Sequence, residues 1–140
     1  MSHHHHIILR LTEMVMLYSG YNNLRFLASI NNKISKEHIK DTMKLVGLDP
    51  DSKKHVGKYS LGMRQRLGLA QAIMEDPRIL LLDEPMNGLD KHGVEEMREL
   101  FKTFADSGKT IIMANHSAED IEVLCDTVHE MDLGVITGVK

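Results

Sequence analysis

The chain has a single cysteine, Cys125, so no internal disulfide can form, and that scarcity fits a reducing compartment. No apolar run approaches the roughly 20 residues that a membrane-spanning helix needs, which argues against direct membrane insertion. Charge of one sign is not in excess. The formal net charge is −3 with acids and bases intermixed, so neither a nucleic-acid stripe nor a membrane-seeking patch is expected. Internal repeats, low-complexity linkers and a secretory pattern are missing too. These absences lead to the expectation of a soluble, cytoplasmic protein that contacts no nucleic acid. What is there is 140 residues, 42% of them apolar, enough for one small domain with a core.

Residues 1–6, Met1-Ser2-His3-His4-His5-His6, read as a short purification tag, with a His-rich metal-binding tail as the alternative. Ile7 to Leu17 is apolar with Arg10, Thr12 and Glu13 interspersed, and fits strand or helix equally; residues 7–19 stay unassigned. After a turn at Ser19-Gly20-Tyr21, Asn22 or Asn23 is placed to cap a helix carrying Leu24, Leu27 and Ile30, broken at Asn31-Asn32-Lys33. Ser35 caps a second helix with Ile39, Met43 and Val46 on one face and Gly47 as its stop. Asp49-Pro50-Asp51-Ser52 is turn chemistry, and Lys53-Lys54-His55 a solvated charge run.

The stretch from Tyr59 to Asp90 organises the rest. Ser60 can accept a hydrogen bond from the first turn of a helix. Met63, Leu67, Ala70 and Met74 then recur at three- and four-residue steps, a helical stripe. Asp76-Pro77 ends that helix, because proline disfavours helical geometry in the residue before it. Ile79 to Leu82 is a short, wholly apolar run, as a parallel strand buried on both faces requires. Asp83 and Glu84 fall at its carboxyl end, where open α/β sheets place their ligands.

Beyond Asp90, Val94, Met97, Leu100, Phe101 and Phe104 mark one helix face closed by Ser107-Gly108. Lys109 to Ala114 reads as a second buried strand, followed by Asn115-His116-Ser117. Ser117 can cap a helix whose first turn holds Glu119 and Asp120, acids favourably placed against the helix dipole. Val128 to Met131 and Val135 to Thr137 read as short strands around Asp132-Leu133-Gly134. Helices alternating with buried strands argue for an α/β sheet.

Taken together, the motifs resemble the nucleotide-binding domain of ABC transporters, closest to bacterial cassettes of the ABC-2 exporter type. Tyr59-Ser60-Leu61-Gly62-Met63-Arg64-Gln65-Arg66 resembles the signature, Ile79 to Glu84 the Walker B strand with its catalytic glutamate, and Asn87-Gly88-Leu89-Asp90 the D-loop. His116 stands where the family's H-loop histidine does. The resemblance implies a partial P-loop NTPase fold: a helical subdomain over residues 20–75, then a parallel-sheet βαβα segment over 76–140 from the ATP-binding core. It implies ATP and Mg²⁺ as cofactors, with Asp83 on the metal, Glu84 as general base, and His116 sensing the γ-phosphate. Ser60 and Gly62 would contact the ATP of a second cassette, and Asp90 would link the two sites, so a dimer is implied. A separate membrane permease would be driven from the inner face of the cell membrane. Leu61, Met63 and Met86 depart from the commoner family residues; Met86 stands where threonine or serine usually follows the proline.

The resemblance covers about Gly20 to Gly138, and the phosphate-gripping half is not found. A phosphate-binding loop reads G-x-x-x-x-G-K-[ST] between strand and helix. The lone Gly108-Lys109-Thr110 has Thr103 in the first glycine's place and leads from helix to strand, the wrong order. The only glutamines are Gln65 and Gln71, inside the signature helix, so a Q-loop glutamine is missing. No adenine-stacking aromatic precedes Tyr18. The expectation is a truncated ABC ATPase subunit, inactive alone and prone to self-association through exposed strand edges. The alternatives are a non-catalytic module docking through its signature helix on an intact cassette, or a fragment of a non-transport ABC ATPase.

Overall fold

A computed structural model describes residues 6–8, 16–31 and 34–139 of the chain. Residues 1–5 of the expected tag, 9–15 of the unassigned segment and 32–33 of the expected helix break lie outside the described residues. His6 falls in a strand, β1 (His6–Ile8). Two helices follow, α1 (Gly20–Asn31) and α2 (Lys36–Leu45). A 3-10 turn (Val56–Lys58) leads into α3 (Leu61–Met74). Next come β2 (Ile79–Asp83), α4 (Lys91–Asp106), β3 (Thr110–Ala114) and α5 (Ala118–Leu124). A hairpin of β4 (His129–Asp132) and β5 (Val135–Val139) ends the described chain. No helix among the described residues is long and apolar enough to cross a membrane.

Strands β1, β2 and β3 form one parallel sheet in that order, with β2 in the middle. Parallel neighbours need crossovers, and α4 with its flanking loops supplies the one between β2 and β3. The core joins Leu24 of α1, Ile39 and Met43 of α2, Leu67 and Leu69 of α3, Leu80 of β2, and Met97 and Phe101 of α4. Each such side chain taken fully from water contributes about 1.5–3 kcal/mol.

Helix α3 is buried around most of its circumference, at Gln65, Leu67 to Ala70 and Ala72 to Met74. The stripe expected from the sequence is too narrow, since Leu69, Ala72 and Ile73 are buried while Met63 is only half-buried. The reason is that α3 lies within the core. His38 of α2 reaches the Met74 carbonyl at 2.8 Å, and Arg66 donates to the Val46 carbonyl at 2.7 Å and to Glu96 of α4 at 3.2 Å.

Three expectations need correction. Helix α1 begins at Gly20, and Ser19, not Asn22 or Asn23, caps it: the Asn22 N–H donates to Ser19 Oγ at 3.2 Å. Ile30 belongs to no buried face, being 70% exposed. The two strands are not buried on both faces. Leu80 and Leu82 are buried, Ile79 and Leu81 only half so, and in β3 Thr110, Ile112 and Ala114 are exposed. Helices cover one face of the sheet, and among the described residues no strand pairs with the outer edge of β3.

Candidate functional site

The site grows from the carboxyl end of β2. Asp83 closes the strand and is exposed, while Glu84 begins the turn that leads to α4. Glu84 adopts φ +48°, a left-handed conformation that costs a side-chain-bearing residue on the order of 1–3 kcal/mol. Two backbone bonds hold it there. Its N–H donates to the Ala114 carbonyl of β3 at 2.9 Å, and its carbonyl accepts from Gln65 Nε2 of α3 at 3.0 Å.

Helix α3 starts beside this turn. Ser60 Oγ accepts from the Met63 N–H at 3.1 Å, the expected cap. A Cβ on Gly62 would lie 3.0 Å from the Gly88 carbonyl oxygen, and one on Gly88 would lie 2.6 Å from Leu61 Cγ. Both glycines thus permit the helix start and the 85–88 turn to pack closer than alanine allows. Asp90 follows that turn and caps α4, accepting from the Gly93 N–H at 2.8 Å. Met86 is buried.

His116 follows β3 and extends into solvent, its side chain 96% exposed. Its Nε2 lies 3.2 Å from Glu84 Oε1, within ion-pairing range when the imidazole is protonated. That Oε1 is itself buried and receives no hydrogen bond among the described residues. The histidine's loop is fixed from below. Asp120, buried at the start of α5, accepts from Arg98 Nε of α4 at 2.8 Å and from Asn115 Nδ2 at 3.4 Å. Asn115 Oδ1 accepts from the Ser117 N–H at 2.8 Å, and Ser117 Oγ caps α5 on the Asp120 N–H at 3.2 Å. The hydrogen bond to Asp120 holds the Arg98 guanidinium above its usual range.

Ser60, Gly62, Asp83, Glu84, Asp90 and His116 thus sit on three neighbouring segments: the start of α3, the β2–α4 turn and the loop after β3. Lys109, in the lone Gly-Lys-Thr, is committed elsewhere, with Nζ on Asp76 and on the Pro77 carbonyl. Sequence reasoning missed Gln65 and Asp120 as supports of the site. A signal existed for Gln65, a polar side chain amid a buried helix, since buried polar groups have partners. The partner lies 19 residues away, so its identity was not local information.

Could these residues hold a hydrated magnesium ion? Among the described residues no group of three or more His, Cys, Asp or Glu is clustered for a metal. Magnesium does not require one, because it commonly takes one or two carboxylates and completes its shell with water and substrate phosphates. Exposed Asp83 beside Glu84 fits that donor set.

A family model described as ABC transporter matches residues 3–87, reaching into the N-terminal segment that the sequence alone left unassigned. The chain is 40% identical over 129 residues to a Bacillus subtilis (strain 168) protein named uncharacterized ABC transporter ATP-binding protein YhcH, covering 91% of this chain and 42% of that protein. It is 42% identical over 117 residues to the bacitracin transport ATP-binding protein BcrA of Enterococcus faecalis, covering 83% of this chain and 38% of the relative. The chain therefore spans about two fifths of the length of these curated relatives. In fold it is similar to the ATP-binding cassette MJ0796 in a dimeric post-hydrolysis state bound to ADP and Pi, with a TM-score of 0.86 and 17% identity. That likeness covers 98% of this chain and 62% of the cassette.

Proposed function

The chain belongs to the ABC transporter family, and from that premise we propose that it is part of an ATP-binding, ATP-hydrolysing subunit that drives a separate membrane permease from the cytoplasmic face. One observation carries the reading: Asp83 ends the middle strand and Glu84 begins the turn after it, beside a capped helix start that packs on the 85–88 turn. Residues 20–75 act as the helical subdomain and 76–140 as the C-terminal part of the ATP-binding core. The relative named for bacitracin transport supports a transport role.

Asp83 is the residue for Mg²⁺, which when bound would neutralise charge on the transferring phosphate. Glu84 is assigned to orient and deprotonate the attacking water, a role supported by an Oε1 that receives no hydrogen bond among the described residues. His116 stands over the same carboxylate as the γ-phosphate sensor. Ser60 and Gly62 present the unpaired N–H groups of a helix start to phosphate. The ligand they meet is ATP held by a second cassette, and the dimeric MJ0796 with its ADP and Pi supports such a partner. Exposed Tyr18 and Phe26 line a depression of about 360 Å³ together with Asn22, Arg25 and Ser29, and this is where we place the permease contact.

Within these 140 residues there is no G-x-x-x-x-G-K-[ST] loop, so the chain alone binds MgATP weakly and hydrolyses it negligibly. A second reading follows from that and from the exposed Ser60 and Leu61 at the start of α3: the chain docks on an intact cassette and supplies only its signature. Equilibrium dialysis of MgATP against the chain and Asp83→Asn tests the first statement. Tight binding lost in Asp83→Asn would mean that another segment grips the phosphates. Adding the chain to an intact cassette tests the second: its ATPase rate should change, and Ser60→Arg should abolish the change. An unaltered rate would refute the docking role.

A further inference from the structure

The loop that carries His116 is closed by its own hydrogen bonds, and the histidine side chain takes no part in them. The Ser117 N–H donates to Asn115 Oδ1 at 2.8 Å, and the Asp120 N–H donates to Ser117 Oγ at 3.2 Å. Asn115 Nδ2 completes the ring by donating to Asp120 Oδ2 at 3.4 Å. The orientation of the Asn115 amide is forced by these partners. Its oxygen must face the Ser117 N–H, which leaves its nitrogen for the carboxylate.

Asp120 is the charged member of the ring, and it is 4% exposed. A carboxylate that deep is kept only when it is paired. Arg98 of α4 supplies the cation, with Nε at 2.8 Å and a terminal nitrogen on the same Oδ1. Because Arg98 fills Oδ1, Oδ2 is left to hold Asn115. The sheet fixes only the start of the loop. The register of β2 and β3 ends at Asp83 and Ala114, where the Ala114 carbonyl accepts from the Glu84 N–H at 2.9 Å.

We propose that Arg98 is a positioning residue for His116: through Asp120 and Asn115 it sets the 3.2 Å approach of the imidazole to Glu84. This rests on the reading of Glu84 and His116 as parts of a nucleotide site, and it adds to that site a residue of α4. Arg98 lies about two turns beyond Asp90, the cap of that helix. Asp90 is the residue assigned to link two cassettes, so one helix bears at its start on that link and farther along on the histidine. A shift of α4 is thereby passed to His116 with the sheet unchanged.

NMR of the isotope-labelled chain, without nucleotide, tests it. Two signals read the loop: the Overhauser contact between the His116 ring protons and the Glu84 side chain, and the solvent-exchange rate of the Ser117 N–H. Arg98→Ala should abolish the first and speed the second at least about tenfold, since it removes charge-assisted bonds from a buried acid. The Glu84 N–H, held in the sheet, should exchange within about twofold of the parent rate. A milder pair of variants tests the route. Asp120→Asn sets one amide nitrogen against another, and Asn115→Asp sets one carboxylate against another. Each should speed Ser117 exchange about fivefold or more. The double variant Asn115→Asp/Asp120→Asn again has an acceptor for Arg98, for Ser117 and for the amide at 120, so it should return to within about twofold of the parent and regain the Overhauser contact. Unchanged signals in Arg98→Ala, a Glu84 N–H that speeds as much as Ser117, or a double variant no better than the single ones would overturn the proposal. None of these signals needs ATP chemistry, so failure here would leave the ATPase reading standing, and failure of that reading would leave the positioning standing.

Discussion

Replacing Gly88 with alanine tests whether the start of α3 and the β2–α4 turn are one interlocked unit. Gly88 has φ +82°, where a Cβ costs about 1–2 kcal/mol. The new methyl would also sit 2.6 Å from Leu61 Cγ and 2.7 Å from Cδ2, an overlap of the kind that costs typically about 1–3 kcal/mol. Leu61 is 51% exposed and can swing partly aside, so the overlap should fall in the lower half of that range. A total loss of about 2–4 kcal/mol is expected, a large share of the roughly 5–15 kcal/mol that holds a domain folded. Gly108 supplies the control: its φ is +92° but nothing lies within 4 Å of an added Cβ. Gly108→Ala should therefore lose only the conformational part. Urea unfolding of Gly88→Ala, Gly108→Ala, Leu61→Ala and the Leu61→Ala/Gly88→Ala double variant completes the cycle. Truncating Leu61 should restore about 1 kcal/mol in the Gly88→Ala background. If Gly88→Ala is no worse than Gly108→Ala, or Leu61→Ala restores nothing, the interlock does not exist.

Gln65→Leu leaves the Glu84 carbonyl without its 3.0 Å donor and should lower unfolding stability by about 1–3 kcal/mol; a change below about 0.5 kcal/mol would show the bond to be immaterial. Burial, with Asp126 and Asp120 nearby, raises the pKa of the Cys125 thiol, so at mildly alkaline pH it should react with a disulfide reagent more slowly folded than in urea. Because the folded pKa is the higher one, this stabilisation is complete below the unfolded thiol's range and is lost as pH rises through the folded one. Cys125→Ser should then reduce the fall in urea midpoint between neutral and alkaline pH; an identical fall in both proteins would refute the shift.

What was legible in the sequence was local. Ser35, Ser60 and Ser117 all cap their helices as expected, because a cap needs only a short side chain and an N–H three residues on. Ser19 is hidden as a cap because Gly20 resembles a turn residue, and its place as the first helical residue depends on packing against Tyr59, Leu67 and Met43. The burial of β2 and β3 departs from expectation for a different reason. An apolar run tells that a strand tolerates cover on both faces, and says nothing about whether the covering elements are present. The candidate site residues were picked out by motif spacing, whereas Gln65–Glu84 and Arg98–Asp120 join positions 19 and 22 residues apart and required the fold.

The backbone at Glu84 bears on whether the two acids are merely the polar end of a strand. A turn that needs a left-handed residue is best served by glycine, which adopts that conformation without the Cβ penalty. Asp76, also left-handed at φ +52°, has an evident structural role, since its carboxylate holds Lys109 beside the start of β2. The contact Glu84 makes among the described residues is weaker, since its partner His116 is 96% exposed. Among the described residues the Glu84 Oε1 is buried without a hydrogen-bond donor, and the side chain within ion-pairing range of it is a histidine turned almost wholly to solvent. Both backbone bonds at Glu84 would survive replacement by glycine, because they use only its N–H and carbonyl. The side chain's contact is the 3.2 Å approach to His116, and the exposure of that histidine to water limits what the pair returns for the strained backbone. A strained carboxylate with a buried oxygen and so little holding it in the fold is the feature that sets Glu84 apart from Asp76, and it is the reason the proposed role of Glu84 is worth testing by Glu84→Gly, which the fold alone should tolerate.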